Sequence, residues 1–392
     1  MINPADRLRR LADALTASGD LTDDWRPTFL SVPRHVFIPE TIWRVTGKAL
    51  VPFGRTDDPD GWLALAYGEE FVITQVDDGV PVGPGPAGRT ISSSASRPNV
   101  VAYMLAALGA EPGMTVCEIG TGTGYNAALL AARLGADNVT TIEVDPELAI
   151  RARRALSAVG QDVAVVTGDG ALGYPPRAPY DRVIATAAAQ RVPYPWIEQT
   201  RPGGRVITPW GNAYHNGALL SLAVSDDGTA VGGIVGDMAF MWLRDQRVPG
   251  VSFDDARCDD GTAAVTYTDL HPYYVAGHYD ASLAISLRVP GCANIHCPVD
   301  GHPEEYRVAF IDPTSDSWAT VHYRPGADEY LVHQAGPRQL WDEVATAYQW
   351  WLDVGSPKAD RWRITVTPHE QLIALAEPAT LRVRTPSSVQ LG

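Results

Sequence analysis

Cysteine is scarce, basic charge is in the minority, and no apolar run is long. Four cysteines in 392 residues cannot make a disulfide framework. Lys and Arg total 31 against 46 Asp and Glu, a formal charge of −15, and no basic cluster interrupts the excess. That argues against nucleic acid as a partner, because phosphate contacts need grouped cations. No apolar stretch approaches the roughly 18 residues that would suggest a membrane span. The first fifteen residues, MINPADRLRRLADAL, carry charge throughout and lack the apolar core of an export signal, so a cytoplasmic protein is expected. Fixed-period repeats and low-complexity tracts are missing too, which removes solenoids and arrays.

A metal centre is also not expected. The stretch CANIHCPVDGH brings Cys292, His296, Cys297 and His302 together, but the spacing fits no common zinc pattern. Adjacent ligands such as His296 and Cys297 are geometrically awkward. With Cys258, these cysteines read as reduced thiols in turns.

What remains is an ordinary globular composition, 45% hydrophobic and 20% charged, able to bury a large core. The length suits two domains. Residues 4–17 set Leu8, Leu11, Ala12 and Leu15 on one helical stripe. The next region, to about 97, is broken by Pro33 and Pro39 and rich in Gly, Pro and Asp. It includes TISSSASRP, residues 90–98, which by composition is a polar linker. After Pro98 the texture changes. PNVVAYMLAAL has helical spacing, then MTVCEI, NVTTIEV, DVAVVT, YDRVIAT and GRVITPW read as five strands alternating with helices that end at Gly135 and Gly160. This predicts an α/β fold, a doubly wound, mostly parallel sheet of Rossmann-like type. ALLSLAV and DDGTAVGGIV are expected to close one edge as an antiparallel pair. Beyond about 248 the alternation stops. AAVTYT, SLAISLRV, YRVAFID, WATVHY and WRITVT look like strands, and RQLWDEVATAYQWWL like a helix, giving a C-terminal α+β domain. The division expected is 1–97 for an N-terminal helical and pocket segment, 98–247 for a ligand-binding domain, and 248–392 for the α+β domain.

VCEIGTGTGYN carries the strongest chemical signal. It follows a strand and opens a helix, the context that gives a glycine-rich turn meaning. Gly120, Gly122 and Gly124 permit positive φ and a close approach of backbone to ligand, and the helix start favours an anionic group. The spacing is G-x-G-x-G, preceded by Glu118, and not the dinucleotide pattern. Glu143 ends the next strand, where a carboxylate can accept both hydroxyls of a ribose. TGDGALG after the third strand puts Asp169 beside the expected nucleoside base. A nicotinamide oxidoreductase is disfavoured by the glycine spacing and by the lack of a paired Tyr/Lys or His/Asp arrangement. A peptide-binding scaffold without catalysis is disfavoured by the intact loop.

These residues resemble the S-adenosylmethionine-dependent methyltransferases, and more narrowly the protein L-isoaspartyl O-methyltransferase family. VPRHVFIP, TGDGALGYPPRAPYDRVIATAAA and RPGGRVITPWG look like its signature segments, over roughly residues 1–247. The resemblance implies S-adenosylmethionine as cofactor, held by Gly120, Gly122, Gly124, Glu143 and Asp169 with Glu118 behind the loop. It also implies that the serine of a Ser-x-Pro before the first helix lines a carboxylate-accepting pocket, here Ser96, which makes the serine run a pocket edge. Ser94 joins it as a substrate-side candidate, while Ser92 to Ser94 remain readable as polar turn. Thr186 and Ala187 are expected on the far side of a peptide groove. Arg97 departs from the small or amide residue the family carries between serine and proline. Its guanidinium could clamp a second substrate carboxylate or point to solvent. The extra serines and the C-terminal domain resemble longer relatives that methylate an Asp in a ribosomal precursor peptide, the ester closing to aspartimide. General isoaspartyl repair is the alternative. On either reading the substrate is a peptide or protein.

Overall fold

The computed structural model describes residues 3–47, 49–83, 87–247, 263–376 and 382–386, so Cys258 lies outside the described residues. Its centre is the predicted parallel sheet. Strands Val116–Ile119, Val139–Glu143, Ala164–Thr167, Tyr180–Ala185 and Thr200–Gly211 stand side by side in the order fifth, fourth, first, second, third. All four pairings among them are parallel. The first strand therefore has the second on one side and the fourth on the other. Strand order reverses there, and in such sheets ligands bind at the carboxyl ends of that reversal.

Local sequence explains these elements. Every side chain of Val139–Glu143 is buried, as expected for a strand covered on both faces. The helix after it, Pro146–Ala158, starts at Asp145, whose side chain accepts from the amides of Glu147 and Leu148, with Pro146 at the first position. The helix Pro98–Leu108 ends on Gly109 in the left-handed conformation.

Asn216–Val224 and Ala230–Asp237 form the expected antiparallel pair, but they do not close the edge. Trp362–Val366, Glu370–Leu375 and Arg382–Pro386 continue outward from it, so the sheet has ten strands among the described residues. One sheet thus draws on both sides of residue 248. The other described C-terminal residues form mainly a five-stranded antiparallel sheet under helices Pro272–Ala276, Tyr279–Arg288 and Leu340–Asp353. SLAISLRV, expected as a strand, is most of the helix Tyr279–Arg288. Residues Ala281 to Leu287 are all buried, so the run shows no amphipathic period, and His278 caps it. Cys292 and Cys297 are buried in two different apolar clusters.

On the N-terminal side, the helix Pro4–Ala17 buries the predicted Leu8, Leu11, Ala12 and Leu15. A four-stranded sheet follows, ordered Ala49–Gly54, Thr41–Thr46, Val72–Val76, Ile91–Ala95. Its last strand is the serine run. Ser92 to Ser94 are therefore neither linker nor turn but sheet, paired antiparallel with Val72–Val76.

Candidate active site

A cavity of about 370 Å³ opens where the strand order reverses. The glycine loop makes one wall. Gly120, Gly122 and Gly124 have φ of 91°, 54° and 92°, each in the region that favours glycine. A Cβ on Gly120 would lie 2.8 Å from Thr186 Oγ1, whereas one on Gly122 would meet nothing closer than Ser93 Oγ at 4.0 Å.

Carboxylates hold the loop from behind. Gly122 N–H donates to Glu143 Oε2 at 2.8 Å, and Asp145 N–H to Glu143 Oε1 at 3.0 Å. Each oxygen keeps acceptor capacity, and Glu143 borders the cavity. Burial pushes its carboxyl above the usual range, against these two backbone donors. Glu118 is fully buried: Asn126 Nδ2 donates to Oε1 at 2.7 Å and Thr141 Oγ1 to Oε2 at 2.5 Å. Thr121 and Thr141 share a hydroxyl contact of 2.6 Å. Since Thr141 donates to Glu118, Thr121 is the donor in that contact. Burial raises the Glu118 carboxyl to about 7.

Asp169 lines the cavity from the third strand's turn, where its side chain accepts from Ala171 N–H at 2.9 Å. The turn sits close to the first strand: a Cβ on Gly170 would fall 2.5 Å from Ile119 Cγ2, and Trp196 Nε1 donates to Gly170 O at 2.8 Å.

The serine strand forms the opposite wall. Ser93 is buried and its hydroxyl accepts from Thr74 Oγ1 at 3.0 Å. Ser92 donates to Gln75 Oε1 at 2.9 Å. Ser94 and Ser96 also line the cavity, half-buried, and their hydroxyls have no hydrogen-bond partner among the described residues. Thr186 and Ala187 line it as well. The Thr186 hydroxyl donates to Gly120 O, so it braces the glycine loop. Arg97 is not among the lining residues. Its Nε donates to Glu70 Oε2 at 3.0 Å, and the pair is largely exposed.

The roof was not foreseen from the sequence. Phe240, Met241, Trp242, Leu243, Arg244 and Asp245 close over the cavity. Leu243 N–H donates to Ala188 O and Ala188 N–H to Met241 O, at 2.8 and 2.7 Å. Arg244 reaches both Asp145 and Asp78 at 3.3 Å, and Arg247 forks onto Asp78 at 2.6 and 2.8 Å. Gln75 Nε2 donates to Asp145 Oδ2 at 3.0 Å, so sheet, roof and helix cap meet at Asp145. MAFMWLRDQR has no helical or alternating period, and only its run of large apolar side chains hinted at burial.

Comparison with known proteins agrees with this geometry. Residues 76–247 match the family model described as Protein-L-isoaspartate(D-aspartate) O-methyltransferase. A curated protein-L-isoaspartate O-methyltransferase of Ignicoccus hospitalis is 48% identical over 207 residues, 52% of this chain and 82% of that protein. One of Pyrococcus abyssi is 41% identical over 212 residues, 54% of this chain and 81% of that protein. A solved structure described as a protein-L-isoaspartate O-methyltransferase aligns over 97% of this chain and 99% of its own, with a TM-score of 0.52 and 19% identity. That alignment shows a shared fold running through the C-terminal region.

Proposed function

The chain belongs to the protein-L-isoaspartate O-methyltransferase family, and from that premise we propose that it methylates the side-chain carboxylate of an Asp in a ribosomally made precursor peptide, the ester then closing to aspartimide. The enzyme class is an S-adenosylmethionine-dependent protein or peptide carboxyl O-methyltransferase. The observation that carries the acceptor assignment is the pair of unengaged hydroxyls, Ser94 and Ser96, on the wall facing the glycine loop.

The residues suit the cofactor. The cavity falls within the size range of small-molecule sites. Gly122 leaves open space where a side chain would stand. Glu143, Asp169 and Asp245 line the cavity, and the two lining arginines, Arg244 and Arg247, are paired with Asp145 and Asp78, so acidic groups are left facing a cationic nucleoside. When bound, S-adenosylmethionine supplies a methyl group that a carboxylate oxygen can take, leaving a neutral thioether. Glu143 would accept the ribose hydroxyls and Asp169 would border the base.

The acceptor carboxylate is already ionised near neutral pH, so no side chain has to remove a proton. The chain's work is alignment. The Ser96 hydroxyl donates to one carboxylate oxygen and leaves the other free to react, with Ser94, Thr186 and Ala187 bordering the slot. Held too tightly, the acceptor would be stabilised before reaction and turnover would slow. The roof residues Met241, Trp242 and Leu243 keep water from the slot. Afterwards the amide nitrogen of the next peptide residue attacks the ester carbonyl, and methanol leaves with the amide proton.

The names of the curated relatives favour a second reading, general isoaspartyl repair. The C-terminal region does not separate the two, because the alignment to the solved structure includes it. The separating assay offers S-adenosylmethionine with a panel of unrelated isoaspartyl peptides and with Asp-containing precursor peptides. Methylation confined to Asp of one precursor, followed by loss of methanol that leaves the peptide lighter than the unmodified one by one water, supports tailoring. Efficient methylation across the isoaspartyl panel overturns it in favour of repair.

A further inference from the structure

Beneath the serine wall lies a buried cation that the mechanism above does not use. Arg34, from the VPRHVFIP segment, is fully inaccessible. Its hydrogen bonds among the described residues all go to backbone carbonyls: Nε to Ala66 O at 2.9 Å, and Nη2 to Ser96 O at 2.8 Å and Ala95 O at 3.4 Å. Nη1 has no partner. The guanidinium lies over the Tyr125 ring, 5.1 Å from its centroid, and Tyr125 begins the helix after the glycine loop and lines the cavity. A buried cation without an anion is costly, and simple cross-linking of loops could be done by a neutral donor.

The choice of carbonyls is informative. The Ala95 and Ser96 carbonyls belong to the two peptide planes that flank the Ser96 Cα. Turning either φ or ψ at Ser96 moves one of these oxygens away from Nη2. One nitrogen that donates to both planes restrains the Ser96 backbone and with it the direction of Cβ and the starting point of the hydroxyl. That nitrogen is itself held in place because Nε of the same rigid, planar group donates to Ala66 O, an anchorage that the single nitrogen of an ammonium cannot keep at the same time. The same group rests on Tyr125, so it relates the serine edge to the glycine-loop helix across the cavity. The serine strand ends at Ala95 and the next helix starts at Pro98, so no regular hydrogen-bond ladder holds Ser96 itself.

We propose that Arg34 is a positioning residue for acceptor methylation, fixing the Ser96 backbone so that its hydroxyl meets the acceptor carboxylate. This rests on the acceptor role given to Ser96 above. Arg34 does not line the cavity and acts on the acceptor through Ser96.

A double-mutant cycle tests it, using full-length wild type, R34K, S96A and R34K/S96A, with kcat and KM measured on the best peptide from the separating assay. S-adenosylhomocysteine affinity by calorimetry reports the donor side. R34K is expected to lower kcat at least tenfold with S-adenosylhomocysteine affinity within twofold of wild type. In the S96A background the same substitution should cost less than threefold, because the group it positions is gone. An equal loss in both backgrounds, or an equal loss of kcat and donor affinity, overturns the inference and leaves the Ser96 assignment standing. If S96A itself leaves kcat unchanged, the Ser96 assignment fails and this inference with it. Should R34K not bind S-adenosylhomocysteine, ¹⁵N spectra of arginine Nε–H groups in the unmutated enzyme take its place. One strongly protected signal should move when peptide is added to the S-adenosylhomocysteine complex, and a spectrum in which no protected signal moves overturns the inference.

Discussion

The amide of Gly122 donates to Oε2 of Glu143 across 2.8 Å, tying the loop after the first parallel strand to the end of the second. One carboxylate thus shapes the cradle and borders the space the nucleoside would fill. Glu143→Ala should therefore weaken S-adenosylhomocysteine binding by about 1–3 kcal/mol, the scale of a lost charged hydrogen-bond acceptor. Calorimetry checks this, and an unchanged affinity would remove Glu143 from the donor site.

Ser96→Ala is the complementary case. The hydroxyl makes no hydrogen bond among the described residues, so its removal leaves no buried partner stranded. Stability should shift by less than about 0.5 kcal/mol. Donor affinity should hold while kcat falls about 10- to 100-fold, the cost of misaligning one reactant. Equal losses of turnover and of donor affinity would place Ser96 on the cofactor side.

Gly120 and Gly122 separate strain from crowding. Both sit at positive φ, so alanine costs roughly 1–2 kcal/mol at either. At Gly120 the new methyl also meets Thr186 Oγ1 at 2.8 Å and disturbs the brace between Thr186 and the Gly120 carbonyl. At Gly122 it enters open space instead. Thermal unfolding should show Gly120→Ala as the less stable variant. Gly122→Ala should be nearer wild type in stability yet impaired in S-adenosylhomocysteine binding. The opposite ranking would mean that the loop differs from the one described.

The parallel strands and the glycine loop were legible because their signals are local: period, caps, and a turn confirmed by strand and helix on either side. The serine strand was not. Serine has little intrinsic preference for strands, and what makes Ile91–Ala95 one is pairing with Val72–Val76, including the Thr74–Ser93 and Gln75–Ser92 hydroxyl and amide contacts. The ten-stranded sheet escaped for a related reason. Ala230 pairs with Val366, and no local pattern reports a partner so distant in sequence. The direction of the Arg97 side chain could not be read from the motif, because its partner Glu70 lies on a neighbouring loop that the motif does not contain.

The buried carboxyl of Glu118 gives the stability a pH dependence of known sign. Its folded pKa of about 7 lies above the ordinary 4.5, so between these values the native state keeps a proton that the unfolded chain has lost. The stability associated with that proton is complete below 4.5 and declines as pH rises through about 7. The span corresponds to at most on the order of 3 kcal/mol. Glu118→Gln removes the titration while keeping the contacts: the amide oxygen accepts from Asn126, and the amide nitrogen donates to Thr141, whose hydroxyl turns toward Thr121. Urea unfolding of both proteins from pH 4.5 to 8 should show the variant gaining on wild type as pH rises, with most of the gain complete by about pH 8. Parallel curves across that window would mean that Glu118 titrates as it does in the unfolded chain, and that water reaches it behind the loop.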